Sequence, residues 1–347
     1  MTRARELAEL ASAYDSGSSM GFRNRIINGD MRIDQRNAGA SVNNTAAGFY
    51  TLDRWRIYGD QAAKFSVQQN AGAVTPPVGF SNYLGATSLS AYTVGAAESF
   101  TIHQMVEGFN VADLAWGTSN AVAVTVSFWV RSSLTGTFGG SVFNSATNRS
   151  YPFSYTINAA NTWEQKTLTI PGDTSGTWLT NNGIGLRINF SLGAGSSASG
   201  TAGTWSGSAL FSATGATSVV GTNAATFYIT GVQLEAGSVA SPFERRDYGR
   251  ELMMCQRYYY KAPASSVHLS GQVYIANSVD GFRASMTHPV AMRAAPTVTV
   301  TNFDAGGSNS SMLVTSTTTH SVCLNLRSTS TNTAVWGICG LEAAIEL

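Results

Sequence analysis

Apolar and polar positions alternate with a repeat of two through most of this 347-residue chain, the pattern of half-buried strands. The clearest run is 121–130, AVAVTVSFWV, where Val122, Val124, Val126 and Phe128 fall on one face. Residues 227–237, FYITGVQLEAG, show the same alternation with β-branched content, as do 163–170, 185–192 and 53–58. Residues 25–33 read as a strand pair around an Asn28-Gly29 turn signal. Pro76-Pro77, Gly139-Gly140, Pro171-Gly172-Asp173 and the Gly/Ser/Ala-rich stretch 193–203 punctuate these runs. Many strands with no long helix between them predict an all-β chain built around a sandwich or jelly roll.

Two segments depart from that pattern. In residues 3–14, Leu7, Leu10, Ala11 and Tyr14 share one helical face. A helix of this length is marginal alone in water. It therefore needs a partner surface, and these four residues are the candidate docking stripe. Ser16-Gly17-Ser18-Ser19 follows as a linker. Residues 247–259 form the second helical candidate and mark a domain junction. Beyond it, strand-like runs at 267–276, 281–287, 296–303, 312–317, 321–327 and 334–346 make a small second β domain. The expected organisation is a docking helix and linker at 1–21, a jelly-roll sandwich at 22–246, a linker helix at 247–261 and a C-terminal β domain at 262–347. That last core is small for a free-standing domain, and a homotrimer is expected to relieve this.

Composition narrows the function. Charged residues are 12% and the net charge is +1. No sustained basic run exists; Glu244-Arg245-Arg246-Asp247 is locally neutralised. A nucleic-acid partner is not expected, because it would require a basic footprint. No apolar run approaches the roughly 18–20 residues of a bilayer span, so no membrane insertion is expected. The N-terminal MTRARELAELASAY carries charges where an export signal needs an apolar core. Cys255, Cys323 and Cys339 make no disulfide framework and read as buried thiols suited to a reducing cytoplasm.

No catalytic constellation emerges. His103, His268, His288 and His320 are isolated, without metal-ligand spacing, and no nucleophile elbow or phosphate loop is present. The chain reads as a non-enzyme with no cofactor. Its candidate chemistry is aromatic. Trp116, Trp178 and Trp205 lie in Gly-rich, turn-like segments, where a ring can stack on a sugar; the alternative for each is core. Trp55 and Trp129, inside strands, read as core, and Trp163 as intermediate. In the C-terminal domain the polar-aromatic candidates are His268, Tyr274, Phe282, Arg283 and Trp336.

Three ordered landmarks carry a family resemblance. The first is Asn24-Arg25-Ile26-Ile27-Asn28-Gly29-Asp30-Met31, with Asp34-Gln35-Arg36 and then Tyr50-Thr51-Leu52-Asp53-Arg54-Trp55. The second runs from Gln104-Met105-Val106-Glu107-Gly108 through Phe128-Trp129-Val130-Arg131, Trp163-Glu164 and Gly176-Thr177-Trp178. The third is Gly231-Val232-Gln233-Leu234-Glu235-Ala236-Gly237 leading to Pro242-Phe243-Glu244-Arg245-Arg246, continued by a C-terminal domain with Met292-Arg293-Ala294-Ala295-Pro296. Over roughly residues 20–345 the chain resembles bacteriophage tail fibre proteins with a jelly roll of the carbohydrate-binding-module kind. The resemblance implies a homotrimeric fibre in the virion tail, assembled in the host cytoplasm. Its N-terminus would attach to a tail or baseplate protein, and its distal C-terminal domain would meet host cell-surface polysaccharide. The alternatives are a capsid decoration protein with the same fold and a polysaccharide depolymerase. Such jelly rolls often hold a structural calcium where first and last strands meet. Asp30 and Glu235 occupy those positions, although a pairing such as Asp30 with Arg32 explains them equally; whether a metal binds is left open.

Overall fold

The computed structural model describes residues 22–273, 282–306, 310–328 and 333–347. The docking-stripe residues Leu7, Leu10, Ala11 and Tyr14, and Tyr274, lie outside them. The chain divides into two compact units at Arg246/Asp247.

In chain order the first unit contains β1 (Val42–Asn43), β2 (Phe49–Tyr50), β3 (Arg56–Gly59), β4 (Phe65–Gln69), β5 (Leu84–Ser88), β6 (Ser99–Glu107) and β7 (Val124–Ser132). It continues with β8 (Gly136–Phe143), β9 (Ser150–Ile157), β10 (Glu164–Ile170), β11 (Ile184–Ala194), β12 (Ser199–Gly200), β13 (Ser212–Ala213) and β14 (Thr226–Ala236). Two six-stranded sheets, ordered β1-β4-β5-β14-β7-β10 and β2-β3-β6-β11-β8-β9, form the sandwich. Val124, Val126, Phe128 and Val130 of β7 meet Phe100, Ile102, Ile188 and Phe190 in one buried core. The alternation of the sequence is thus realised as two facing apolar surfaces.

The first segment and the last strand are laced together. Asn24 donates from Nδ2 to the Val232 carbonyl (3.1 Å) and accepts at Oδ1 from the Leu234 amide (3.1 Å). The Arg25 amide donates to the Leu234 carbonyl, 2.8 Å. Glu244 accepts from the Asn24 amide at 2.6 Å, and its own amide donates to Gln233 Oε1 at 2.7 Å. Arg246 donates to the Ile26 carbonyl at 3.0 Å and to the Asn24 carbonyl. Gly231 sits at a bulge in β14 with φ +61°, a backbone state suited to glycine. Gly29 lies so close to Val232 that a Cβ would fall 2.2 Å from its carbonyl oxygen.

Several expectations are corrected here. Residues 25–33 form no strand: Asn28 and Met31 take positive φ, and Asn28 pairs through its side chain with Ile33 and Asp53. The run 121–130 becomes strand only from Val124. Val122 is exposed, its amide held by Leu114. Trp55 is fully buried, but Trp129, out of phase with Phe128 and Val130, is half-buried on the other face of its sheet. Asp30 pairs with Arg32 at 2.5 Å, and Glu235 accepts from the Ser241 amide and hydroxyl at 2.9 and 2.6 Å. Those pairings account for both carboxylates, and no cluster of metal-ligating side chains occurs among the described residues.

The second unit, Asp247–Glu346, opens with α1 (Tyr248–Gln256), capped by the Asp247 side chain accepting from the Arg250 amide. It continues with β15 (Tyr259–Val273), β16 (Phe282–Thr287), β17 (Thr297–Gly306), β18 (Ser310–Thr317), β19 (Ser321–Ser328) and β20 (Thr333–Ala344). Its sheets are ordered β15-β20-β17 and β16-β19-β18. Val267, Leu324, Leu326, Cys339 and Leu341 are among its core residues. The helix belongs to this unit, and β15 begins within the expected linker. Cys255 and Cys339 are buried and Cys323 is half-buried, and none of the three is in a disulfide. Among the described residues no helix is long and apolar enough to cross a membrane.

Candidate functional site

Three loops of the first unit converge on a cluster of tryptophans. Trp116 follows a short 3-10 turn at Ala112–Leu114. Trp178 stands between β10 and β11, and Trp205 between β12 and β13. Their ring centroids are 4.6 Å (Trp116–Trp178), 5.4 Å (Trp116–Trp205) and 5.6 Å (Trp178–Trp205) apart, all edge to face. That arrangement sets each ring's positive edge against its neighbour's negative face. Each indole N–H is already used: Trp116 donates to Val122 (2.7 Å), Trp178 to Ser175 (3.1 Å) and Trp205 to Pro171 (3.0 Å), all backbone carbonyls. The rings are therefore fixed in place, and of the three Trp178 and Trp205 keep part of their surface open.

The loops are held by charge. Arg149 donates two hydrogen bonds to Asp173, Nε at 2.7 Å and Nη2 at 2.6 Å. This pairing raises the arginine pKa. Asp173 is buried, and it also accepts from the Ser175 amide at 3.1 Å, fixing the turn that carries Trp178. Gly117, with φ +85°, passes so close to Gly176 that a Cβ would sit 2.7 Å from its carbonyl oxygen. The guanidinium of Arg149 lies 5.8 Å from the Trp205 ring centre.

Trp116 is the buried centre of the cluster, whereas Trp178 and Trp205 are half-buried. Behind Trp116 and Trp178 lies a cavity of about 10 Å³, lined also by Val111, Leu114 and Leu186, with room for one water. Near the cluster the surface opens into a cleft of about 250 Å³, lined by Tyr151, Phe153 and Ser154 of β9, Leu168 and Thr169 of β10, and Ala202 and Gly203, with none of the three tryptophans in its wall. Tyr151 joins the two features, its ring 5.1 Å from that of Trp205. Burial raises the pKa of its phenol, so the hydroxyl stays protonated near neutrality. Tyr151 and Phe153 are themselves buried, so the open cleft presents mainly the hydroxyls of Ser154 and Thr169 to a ligand.

The tryptophan candidates therefore come together, although nothing in their spacing of 62 and 27 residues pairs them. Sequence reasoning missed Tyr151, Arg149 and Asp173. Tyr151 reads in sequence as one more strand aromatic, and the Arg149–Asp173 pair is visible only once β9 and the loop after β10 are neighbours. The C-terminal candidates are not gathered in this way. His268 lies on β15 opposite Ile338 and Trp336 on β20 opposite Ser270, in one sheet. Phe282 and Arg283 lie on β16, in the other. Trp336 is 43% exposed, and Arg283 is exposed.

No family model matches the chain, and no curated protein matches it. Solved structures with similarity to it include the enzymatically active domain of tailspike protein 4 of bacteriophage CBA120, at 12% identity and TM-score 0.30, over 61% of this chain and 21% of that one. The match thus spans about a fifth of that domain's length. The module TmCBM61, solved with β-1,4-galactotriose, is 13% identical with TM-score 0.30, over 62% of this chain and 99% of the module. The family 11 carbohydrate-binding module from Clostridium thermocellum, solved with a mixed-linked tetrasaccharide, is 15% identical with TM-score 0.28, over 57% and 100%.

Proposed function

We propose that this chain is a glycan-binding tail fibre protein whose jelly roll holds saccharide in the cleft beside Trp205 and Tyr151. The observation that supports this reading best is the convergence of three sequence-distant tryptophans beside an open cleft of about 250 Å³. Rings fixed by their own hydrogen bonds lose little entropy when a ligand stacks on them. The fibre assignment rests on the ordered sequence landmarks. Under it, residues 3–14 dock on a tail or baseplate protein, and the chain works as a homotrimer that multiplies weak single-site binding by avidity. The tryptophan cluster gives the first unit the stronger claim to the receptor, and the C-terminal candidates become the second choice.

The test is adsorption. The full chain and a Trp205→Ala variant are compared for competition with phage particles on host cells, and the wild type for soluble oligosaccharides that block it. Loss of competition in the variant supports the reading. Unchanged competition, with loss on Trp336→Ala instead, moves the receptor to the second unit. A stable monomer in sedimentation equilibrium at micromolar concentration removes the trimer. New reducing ends appearing on host polysaccharide would make the protein a depolymerase.

A further inference from the structure

The sheet β2-β3-β6-β11-β8-β9 has a second face, turned away from the core, and it is polar. Strand register sets Arg56 opposite His103, His103 opposite Asn189, and Asn189 opposite Ser141. One row of polar side chains thus crosses four adjacent strands. Arg187 lies two positions from Asn189 on β11 and hence on the same face.

Polar atoms on this face are left without partners. His103 is 2% exposed and Asn189 0%, yet His103 Nε2 and Asn189 Oδ1 have no hydrogen bond. Their other atoms are engaged: His103 Nδ1 lies 3.2 Å from the Thr101 hydroxyl, and Asn189 Nδ2 donates to Ser141 at 3.1 Å. Arg187 has both Nε and Nη2 unpartnered. Its guanidinium lies 4.6 Å from the Phe143 ring centre and 5.6 Å from that of Phe211. The Ser212 hydroxyl, carried over Gly139 by β13, is also unpartnered. Native proteins rarely leave such groups unmet.

The charge is one-sided. Arg56 donates to the Gly48 carbonyl, at 3.1 Å. No carboxylate among the described residues pairs with Arg56 or Arg187. Asp60, just past β3, is taken up by the Tyr58 hydroxyl and the Ser99 amide, both at 2.6 Å. Burial, then the charge of Arg56, pulls the Arg187 pKa down to about 10. Burial, then Arg187 and Arg56, pushes His103 well below its usual range, so its imidazole is neutral. The row reaches the exterior at β3, where Arg56 and Tyr58 are half-buried.

We infer that this polar face is a second saccharide subsite, specific for a sugar bearing an anionic group. The anion faces Arg187 and Arg56, which are half-buried; His103 Nε2 and Asn189 Oδ1 lie sealed beneath them, within reach of a buried water and not of the sugar. Phe143 and Phe211 hold the Arg187 fork in place. The inference leans on the proposed function only in taking the occupant to be a glycan. A carboxylate of a uronic acid and a phosphate ester present the same chemistry to two guanidiniums, and experiment separates them.

The experiment is equilibrium titration of the full chain with trigalacturonic acid, mannose 6-phosphate and neutral galactotriose. The expected result is binding of at least one acidic probe about tenfold or more tighter than of galactotriose, with the preference shrinking as salt is raised. Preference for the uronate or the phosphate identifies the anion. Arg56→Gln and Arg187→Gln should each remove the acidic preference, while Trp205→Ala leaves it intact. Should Arg187→Gln fail to fold, the half-buried Arg56 carries the test. Equal affinity for acidic and neutral probes, or an acidic preference that survives Arg56→Gln, overturns the inference. Galactotriose binding that depends on Trp205 with no acidic preference defeats this inference alone. Acidic binding indifferent to Trp205, with no neutral binding anywhere, defeats the Trp205 cleft and spares it.

Discussion

Around Asn24, the side chains of Asn24, Gln233, Ser241, Glu244 and Arg246 hold one another and the backbone through a closed set of hydrogen bonds. Around Trp116 the side chains meet ring to ring and send their indole hydrogen bonds to backbone carbonyls. The first region consumes its polar chemistry in joining the two ends of the sandwich, with Asn24 1% exposed. The second keeps aromatic faces beside open space. Polar density in sequence therefore marks architecture here, and sparse Gly-flanked aromatics mark the surface available to a ligand. Two of the three landmarks that carry the family resemblance meet in the first region, while the second ends at Trp178. Those two identify the fold through the side chains that close it, which is why they say little about what is bound.

The largest expected effect is in the clasp. Asn24→Leu removes the acceptor of the Ile26 and Leu234 amides and the donor to Val232. Leaving those buried groups unmet should cost about 3 kcal/mol. Urea unfolding should show a lower midpoint with unchanged slope. Saccharide affinity of the still-folded protein should be unaltered. An Asn24→Leu protein that unfolds like the wild type, or that loses binding while fully folded, would erase the distinction between the two regions.

How much of this was legible follows the same line. β10, β11 and β14 were readable within a residue or two, because one face of each meets the core and alternation is its direct imprint. Five strands of the second unit were readable to within three residues for the same reason, whereas β15 begins eight residues before the run expected from 267. Residues 25–33 were not, because Asn28 replaces strand pairing with side-chain bonds to Ile33 and Asp53, a choice set by residues 25 positions away. The tryptophans could be nominated singly from their glycine neighbours. That Trp116 is the buried hub while Trp178 and Trp205 are half-exposed depends on loop convergence, which has no local signal. The polar face carrying Arg56, His103 and Asn189 was equally invisible, since each residue reads alone as a solvated position on an alternating strand.

A moderate effect is expected in the aromatic region, on binding more than on stability. Trp205 is half-buried and contacts Trp116, Trp178 and Tyr151. Losing one stacking partner should weaken saccharide binding by about 0.5–1.5 kcal/mol, roughly twofold to thirteenfold per site. Trp205→Ala and Asn24→Leu should therefore move opposite readouts, affinity for one and unfolding midpoint for the other. Glycan titration beside urea melts of both variants measures this. If Trp205→Ala shifts the midpoint as far as Asn24→Leu and leaves affinity untouched, the cluster is core after all.

The smallest effect separates polar closure from acid sensitivity. Glu164 opens β10 and closes the turn before it, accepting from the Asn158 and Ala159 amides at 2.8 and 2.9 Å and from Lys166 at 2.6 Å. Burial alone would raise its pKa. The Lys166 ammonium and the two amides outweigh that and hold it at about 2, below the ordinary 4.5. A carboxylate depressed in the folded state binds its proton more readily in the unfolded one. Its contribution is therefore fully present above pH 4.5 and is lost as pH falls toward 2. Glu164→Gln should be less stable than the wild type at neutral pH, by a small margin because the ion pair lies near the surface. The difference should close as pH drops through that window. The Asn24 clasp rests mainly on amide and carbonyl groups that do not titrate, so the deficit of Asn24→Leu should persist across the same range. Urea midpoints of the three proteins from pH 7 to pH 2.5 decide it. A Glu164→Gln deficit that stays constant with pH would show that the side chain acts through packing and not through its charge.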